Sequence, residues 1–132
     1  MKAKAFVSAM AGVLCSGLVI ASVAWAAGAT TKVTIALPNS KISTLHGKVF
    51  STKLSCVKRT VEVLRQQGSS QDPSTDPVVA TTKSMRADST NHGVWKLSAA
   101  MEPHAGFYYA EATKKTGCKV GFSPTVHLIP SH

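Results

Sequence analysis

The segment NHGVWKLSAAMEPHAGFYYAEATKKTGC, residues 91–118, contains most of the aromatic side chains that follow the first 26 residues, and it ends on a cysteine. Two runs of apolar residues, GVWKL and FYYAEAT, lie on either side of a proline- and glycine-containing break. Trp95 and Leu97 face one way across Lys96, with the period of two that is typical of a half-buried β-strand. The segment therefore predicts two strands that supply the aromatic half of a β-sheet core.

The run FYYAEAT places three aromatic residues side by side. Alternation puts Phe107 and Tyr109 on one face and Tyr108 on the other, so at least one ring lies outside the core or at an edge. An exposed tyrosine beside lysines would suit contact with carbohydrate or a polyanion by stacking and charge, and a cross-strand aromatic pair is the structural alternative. The residues predicted for such a ligand surface are Tyr108, Lys114, Lys115 and Lys119.

Period-two patterns recur along the rest of the chain, whereas no window has convincing helical periodicity. The seven strand candidates are KVTIAL, TLHGKVF, RTVEVLRQQ, VVATTK, GVWKL, FYYAEAT and TVHLI. The polar stretches GSSQDPSTDP and SMRADSTNHG read as turn regions between them. This spacing predicts an all-β fold, a single antiparallel seven-strand Greek-key sandwich of transthyretin-like or immunoglobulin-like type.

The first 26 residues have the features of a secretory signal peptide. Lys2 and Lys4 precede a long uncharged apolar run, which ends in the Ala-Trp-Ala pattern that signal peptidases recognise. We expect a helical signal peptide at residues 1–26, a flexible lead-in at 27–31 and one β-sandwich domain at 32–132. An uncleaved membrane anchor is the alternative, since the uncharged run is long enough to span a bilayer. The predicted location is secreted or extracytoplasmic, in the cell envelope.

Cleavage after residue 26 would remove Cys15 and leave two cysteines, Cys56 and Cys118. An even number of cysteines in an exported chain predicts a disulfide. A loop as long as the one they would close contributes about 4 kcal/mol in the chain-entropy model. Neither cysteine has a second cysteine or a histidine within four residues, so the spacing does not indicate a metal or redox site.

The chain is basic, with a net charge of +9. Without Lys2 and Lys4, thirteen basic residues remain against six acidic ones, a net charge of +7. Such a surplus favours contact with acidic surfaces such as teichoic acids, lipopolysaccharide, anionic lipid or nucleic acid, and simple solubility is the alternative explanation.

No motif in the chain predicts catalysis or a cofactor. The five histidines lack the spacing of a zinc site, and the pair Glu102 and His104 lies in a turn-like stretch. Asp72 and Asp76 offer too few oxygens for calcium, which needs six or more. There is no G-x-S-x-G elbow and no glycine-rich phosphate loop. The sequence predicts a protein that is not an enzyme and that needs no metal or other cofactor.

Four short motifs resemble those of carboxypeptidase-regulatory-like domains, which share the transthyretin-like sandwich. These are Gly47-Lys48-Val49, Val61-Glu62-Val63, Gly93-Val94-Trp95 and Gly106-Phe107-Tyr108. The resemblance extends from Leu45 to Val126 and departs from the family at DSTNHG, where the family often has a more compact turn. It implies a largely non-catalytic domain and supplies no catalytic residues.

The sequence thus predicts a secreted, non-catalytic β-sandwich module with a binding or structural role at the bacterial envelope or outside the cell. Its expected partner is a protein or an anionic polymer of the envelope. Specific nucleic-acid binding is not expected, and membrane contact is expected only through an uncleaved signal segment. The alternatives are a polyanion- or carbohydrate-binding protein acting through its basic surface, and a small secreted enzyme or inhibitor with a histidine site.

Overall fold

Two antiparallel β-sheets pack face to face in the computed structural model, which describes residues 28–87 and 91–129. The prediction of an all-β sandwich is therefore confirmed. The signal peptide predicted at residues 1–26 lies outside the described residues, as does Ala27, the first residue of the predicted lead-in.

The described residues form nine strands rather than the seven that were predicted. They are β1 (Thr31–Val33), β2 (His46–Ser51), β3 (Thr60–Arg65), β4 (Val78–Lys83), β5 (Met85–Arg86), β6 (His92–Lys96), β7 (Gly106–Ala112), β8 (Gly121–Phe122) and β9 (Val126–Leu128). The two additional strands, β5 and β8, are two residues long. The prediction that SMRADSTNHG is only a turn region was wrong at β5, which pairs with β6.

Consecutive strands are distributed between a long sheet and a short sheet. The long sheet has the order β8-β7-β3-β4, with β9 also paired to β7, and the short sheet has the order β1-β2-β6-β5. The chain crosses from one sheet to the other after β2, β4 and β6. This is the strand order of an immunoglobulin-type Greek key, with one strand added at the edge of the long sheet.

A feature near the start of β7 also belongs to Greek-key sandwiches. The hydroxyl of Tyr108 donates a hydrogen bond to the carbonyl of His104, four residues upstream, at 2.7 Å. Immunoglobulin-type domains use a tyrosine in the same way to fix the corner that leads into a central strand.

Alternation correctly predicted which side chains fill the core between the sheets. Leu45, Val49, Trp95 and Leu97 on the short-sheet side are buried, and so are Val61 and Val63 in β3. Gly47 is buried between Leu45 and Val49. No side chain fits at this position, because the Thr34 carbonyl oxygen lies 1.9 Å from where a Cβ atom would be.

In two strand candidates, alternation predicts an orientation that the structure does not have. In RTVEVLRQQ it places Leu64 on the outer face with Thr60 and Glu62, but Leu64 is buried, and the pairing of β3 with β4 shifts register between Val63 and Leu64. In KVTIAL it places Leu37 on the same face as Val33 and Ile35, but Leu37 is exposed because β1 ends at Val33.

One end of the sandwich is organised by Arg59, which is only 3% exposed. Its guanidinium donates hydrogen bonds to the carbonyl of Lys119 at 2.8 Å, to the carbonyl of Thr113 and to the hydroxyl of Thr31 at 2.9 Å. Burial lowers the pKa of Arg59 from its usual value. The acceptors belong to β1 and to the segments that follow β7, so this side chain joins the two sheets.

The lead-in at residues 27–31, predicted to be flexible, makes regular backbone contacts over its described part. Ala29 donates to the carbonyl of Gly117 at 3.0 Å and accepts from the amide of Lys119 at 2.8 Å. The hydroxyl of Thr31, at the start of β1, donates to the Lys119 carbonyl at 2.7 Å. These bonds tie the lead-in to the segment that carries Cys118.

We expect Arg59→Lys to lower the free energy of unfolding by about 2–4 kcal/mol. A lysine ammonium cannot reach all the acceptors of the guanidinium, and each buried carbonyl left without a donor costs about 1–3 kcal/mol. Urea unfolding followed by circular dichroism measures the loss.

Arg65→Lys is the matched control, because Arg65 is exposed at the far end of β3 and its replacement should change stability by less than about 0.5 kcal/mol. Equal stabilities for the two variants would contradict the role given to Arg59.

Candidate functional site

The two cysteines predicted to pair are joined by a disulfide in the structure. Cys56 and Cys118 are 62 residues apart in sequence, their Cα atoms are 5.6 Å apart, and both side chains are buried. Cys56 ends a short 3-10 turn, Leu54–Cys56, and Cys118 lies in the turn before β8. The bond therefore fastens the same end of the sandwich as Arg59, whose guanidinium also donates to the Cys56 carbonyl at 3.4 Å.

The predicted ligand surface is wrong in its aromatic member. Tyr108 is 1% exposed, because it shares the core-facing side of β7 with Ala110 and Ala112. The exposed ring is that of Phe107, which stacks on His127 with ring centroids 4.2 Å apart. The two small alanines at alternating positions were the sequence signal that this face is packed against the opposite sheet.

The three lysines of that predicted surface are exposed, but the structure divides them. The ammonium of Lys115 donates to the carbonyls of Ser55 at 2.8 Å and Lys58 at 3.2 Å, which holds it next to the segment that precedes β3. Lys114 lies beside it in the chain, and both lysines line one cavity, which Lys119 does not line.

This cavity, here called the lysine cavity, has a volume of about 300 Å³ and lies where the start of β3, the end of β4 and the segment after β7 meet. Its basic lining residues are Lys58, Arg59, Lys83, Lys114 and Lys115. None of the described residues that line it is acidic. Amines gathered at one concave surface create a positive potential that attracts anions, and lysine is a common phosphate ligand.

Sequence reasoning missed Lys58 and Lys83 because their proximity depends on strand pairing. Thr60 is paired with Lys83, and Val61 with Ala112, so antiparallel pairing brings the start of β3 next to the ends of β4 and β7. In the sequence these lysines appear only at or next to the ends of three strand candidates, and their proximity can be recognised only when the strand pairing is known.

A second concave surface, here called the outer groove, lies on the solvent-facing side of the short sheet and has a volume of about 600 Å³. Its apolar lining residues outside the core are Ala36, Ile42, Met85 and Val94. Met85 and Val94 are paired across β5 and β6 and are 58% and 40% exposed. Large apolar side chains that adjoin one another at the surface are typical of binding sites.

Basic side chains accompany the apolar ones in the outer groove. Lys48 is paired with Val94 across β2 and β6, and Lys96 is paired with His46 one row further along. Lys48, Lys83 and Lys96 line the groove, and no acidic side chain does so among the residues that are described. The groove therefore combines an apolar surface with positive charge.

The lysine cavity and the outer groove share two lining residues, Lys83 and Met85. These flank Ser84, the buried residue at which the chain passes from β4 in the long sheet to β5 in the short sheet. The two concave surfaces are consequently neighbours along one side of the molecule, with amines in both and an apolar stretch in one.

The outer face of the long sheet also carries two carboxylates. Glu62 and Glu111 lie opposite each other across β3 and β7, and both are half-buried. Burial, and secondarily the charge of Glu62, raises the pKa of the Glu111 carboxyl. Because Thr60 is paired with Lys83 and Glu62 with Thr81, Lys83 lies on the same face as the two carboxylates, one row nearer the end of the sheet, and neither carboxylate lines the lysine cavity.

The acidic loop at residues 68–77, considered above for calcium, is tied to the long sheet by Asp76. The Oδ2 atom of Asp76 accepts hydrogen bonds from the Tyr109 hydroxyl at 2.6 Å and from the Asp72 amide at 2.8 Å. The Tyr109 hydrogen bond is the main cause that lowers the pKa of the Asp76 carboxyl. These contacts give Asp76 a structural role.

The histidines give no sign of a common centre in the described part of the chain. No group of three or more histidine, cysteine or carboxylate side chains that could hold a metal occurs at residues 28–87 and 91–129. Glu102, the neighbour of His104, accepts a hydrogen bond from the Leu45 amide at 2.9 Å and so braces the core. His132 lies outside the described residues.

Comparison of the chain with protein-family models, with curated proteins and with solved structures finds no significant match. Over the described residues, no helix has the length and apolar character needed to cross a bilayer. The function must therefore be argued from the two concave surfaces themselves.

We expect Tyr109→Phe to destabilise the protein at neutral pH and to do so less as the pH falls. Because the tyrosine hydroxyl lowers the pKa of Asp76 in the folded state, the stabilisation is present above the unfolded pKa of aspartate, about 3.9, and is lost as the pH falls through the lower folded value. Urea unfolding between pH 7 and pH 2 measures the difference between the two proteins.

Val78→Ala, at an exposed position of β4 that is paired with Leu64, is the control and should give a pH-independent difference. A Tyr109→Phe effect that stays constant down to pH 2 would mean that the hydrogen bond does not act on the carboxylate.

Proposed function

We propose that this chain is an exported, non-catalytic β-sandwich module that binds an anionic polymer of the cell envelope through the lysine cavity. The observation that carries the proposal is the convergence of four exposed lysines, Lys58, Lys83, Lys114 and Lys115, around one cavity. Like charges repel one another, so a site of this kind is stabilised when an anion occupies it.

The cavity is held in place by the core beneath it. Ser84 Oγ accepts from the Arg59 amide at 2.8 Å, and the Ser84 amide donates to the Arg59 carbonyl at 2.9 Å. Lys58 precedes Arg59 and Lys83 precedes Ser84, so this reciprocal pair fixes the backbone from which both amines project. Since the backbone is fixed before the ligand arrives, less conformational entropy is lost on binding.

Export is supported by the amino-terminal sequence and by the disulfide. A charged start, an apolar run and Ala-Trp-Ala are the signals of secretion, and disulfides persist in oxidising compartments. The non-catalytic character is in keeping with the resemblance to carboxypeptidase-regulatory-like domains and with the structural engagement of Glu102 and Asp76. A polymer of the envelope is then the polyanion that such a protein would meet.

We expect the triple variant Lys58→Gln/Lys83→Gln/Lys114→Gln to elute from phosphocellulose at clearly lower salt than the unaltered protein. Counterion release makes affinity for a polyphosphate depend on salt, and each phosphate contact removed lowers the slope of log K against log salt by about one. Affinity for a soluble phosphate polymer, measured across several salt concentrations, gives the slope.

A second triple variant, Lys32→Gln/Arg65→Gln/Lys41→Gln, carries the same change in net charge at exposed positions outside the cavity. It should keep most of the slope. If the two variants lose equal amounts of the salt-dependence slope, the interaction depends on net charge alone, which would contradict a site at the lysine cavity.

A further inference from the structure

The anion bound at the lysine cavity has an apolar surface immediately beside it. Met85 lines both the cavity and the outer groove, and from there the groove continues over Val94 towards Ile42 and Ala36. Its volume, about 600 Å³, is within the range of about 300–1,000 Å³ that small-molecule sites have. A simple phosphate polymer would leave this apolar surface unused.

We propose that the ligand is an anionic amphiphile with a single acyl chain, whose phosphate head lies in the lysine cavity and whose chain lies in the outer groove. This inference rests on the proposed function, because the cavity supplies the site for the head group. Lys83, which lines both surfaces, is the amine placed at the junction of head and chain.

The row of paired residues across the short sheet supports an extended apolar chain rather than a compact ring. Lys48, Val94 and Met85 lie next to one another on β2, β6 and β5. The row runs across the strands and leads from the groove to the corner at Ser84. A flexible acyl chain can follow such a shallow path, and the lysine stems can cover it with their methylene groups.

Charge complementarity fixes the sign of the head group. The described residues that line the two surfaces include Lys48, Lys58, Lys83, Lys96 and Lys114 and no carboxylate. A cationic amphiphile would gain the apolar contact but would meet unfavourable positive potential, and a zwitterionic one would bring no net negative charge to the lysines.

The test is a chain-length series. Isothermal titration calorimetry of the full chain is carried out with inorganic phosphate and with octyl, decyl and dodecyl phosphate, each below its micellar concentration. We expect affinity to rise with chain length, by up to about fourfold for each methylene that becomes fully buried.

A groove variant and a control variant test whether the rise in affinity with chain length comes from the outer groove. Ile42→Thr/Val94→Thr removes apolar groups from the groove at two residues that do not line the lysine cavity, and it should abolish most of the chain-length dependence while leaving inorganic phosphate binding unchanged. Val78→Thr/Ile129→Gln removes exposed apolar groups elsewhere and should keep the dependence. The cavity variant Lys58→Gln/Lys114→Gln should weaken binding by a similar factor at every chain length.

The outcomes separate this inference from the proposed function. Binding of phosphate or a phosphate polymer with no effect of chain length overturns the amphiphile and leaves the polymer-binding function standing. A chain-length effect that survives in Ile42→Thr/Val94→Thr places the acyl chain elsewhere and overturns the groove. Binding to anionic vesicles without binding to the monomeric amphiphile indicates a membrane surface and also overturns it, and no binding to any anion overturns both proposals.

Discussion

The buried guanidinium of Arg59 is the interaction on which the rest of the sandwich depends. A charge that is 3% exposed must have its hydrogen bonds satisfied within the protein, and here backbone carbonyls and one hydroxyl replace water. Its acceptors lie in segments that leave the sheets at one end, including the lead-in to β1 and the segment after β7. The planar, five-donor geometry of arginine suits this task, since no other side chain donates in so many directions from one point. The adjacent disulfide between Cys56 and Cys118 fastens the same end covalently.

Both candidate binding surfaces follow from that fixed end. The backbone of Arg59 and the residue Ser84 exchange hydrogen bonds, which brings the lysines immediately before them, Lys58 and Lys83, to the same cavity. One residue after Ser84 the chain has changed sheets, and Met85 begins the strand that borders the outer groove. The sheet-to-sheet crossing is therefore also the junction between the cationic and the apolar surface. Glu62 and Glu111 lie on the same face of the long sheet as Lys83, one row further from its end, and neither lines the two concave surfaces.

The parts of the fold that could be predicted are those governed by local alternation. Trp95 and Leu97 were correctly expected in the core, and the cysteine count predicted the disulfide. Two-residue strands such as β5 have no period to read, and they form because a neighbouring strand offers unpaired backbone groups. Alternation alone did not decide whether Phe107 or Tyr108 would be exposed, because adjacent aromatic residues fit either face. The convergence of lysines at the cavity could not be predicted because it depends on which strands are neighbours, and that order is not encoded in a pattern of period two.

The central claim is that the sheet-to-sheet crossing joins a phosphate-binding cavity to an apolar groove. The most direct measurement is a residue-by-residue map of amide chemical shifts in the nitrogen-15-labelled protein during titration with dodecyl phosphate. The account predicts saturable shifts at Lys58, Lys83 to Met85, Lys114 and Val94, with little change at Gln67 and Asp76, beyond the other end of β3. Shifts centred on Gln67 and Asp76, or changes confined to other residues far from the crossing, would contradict it.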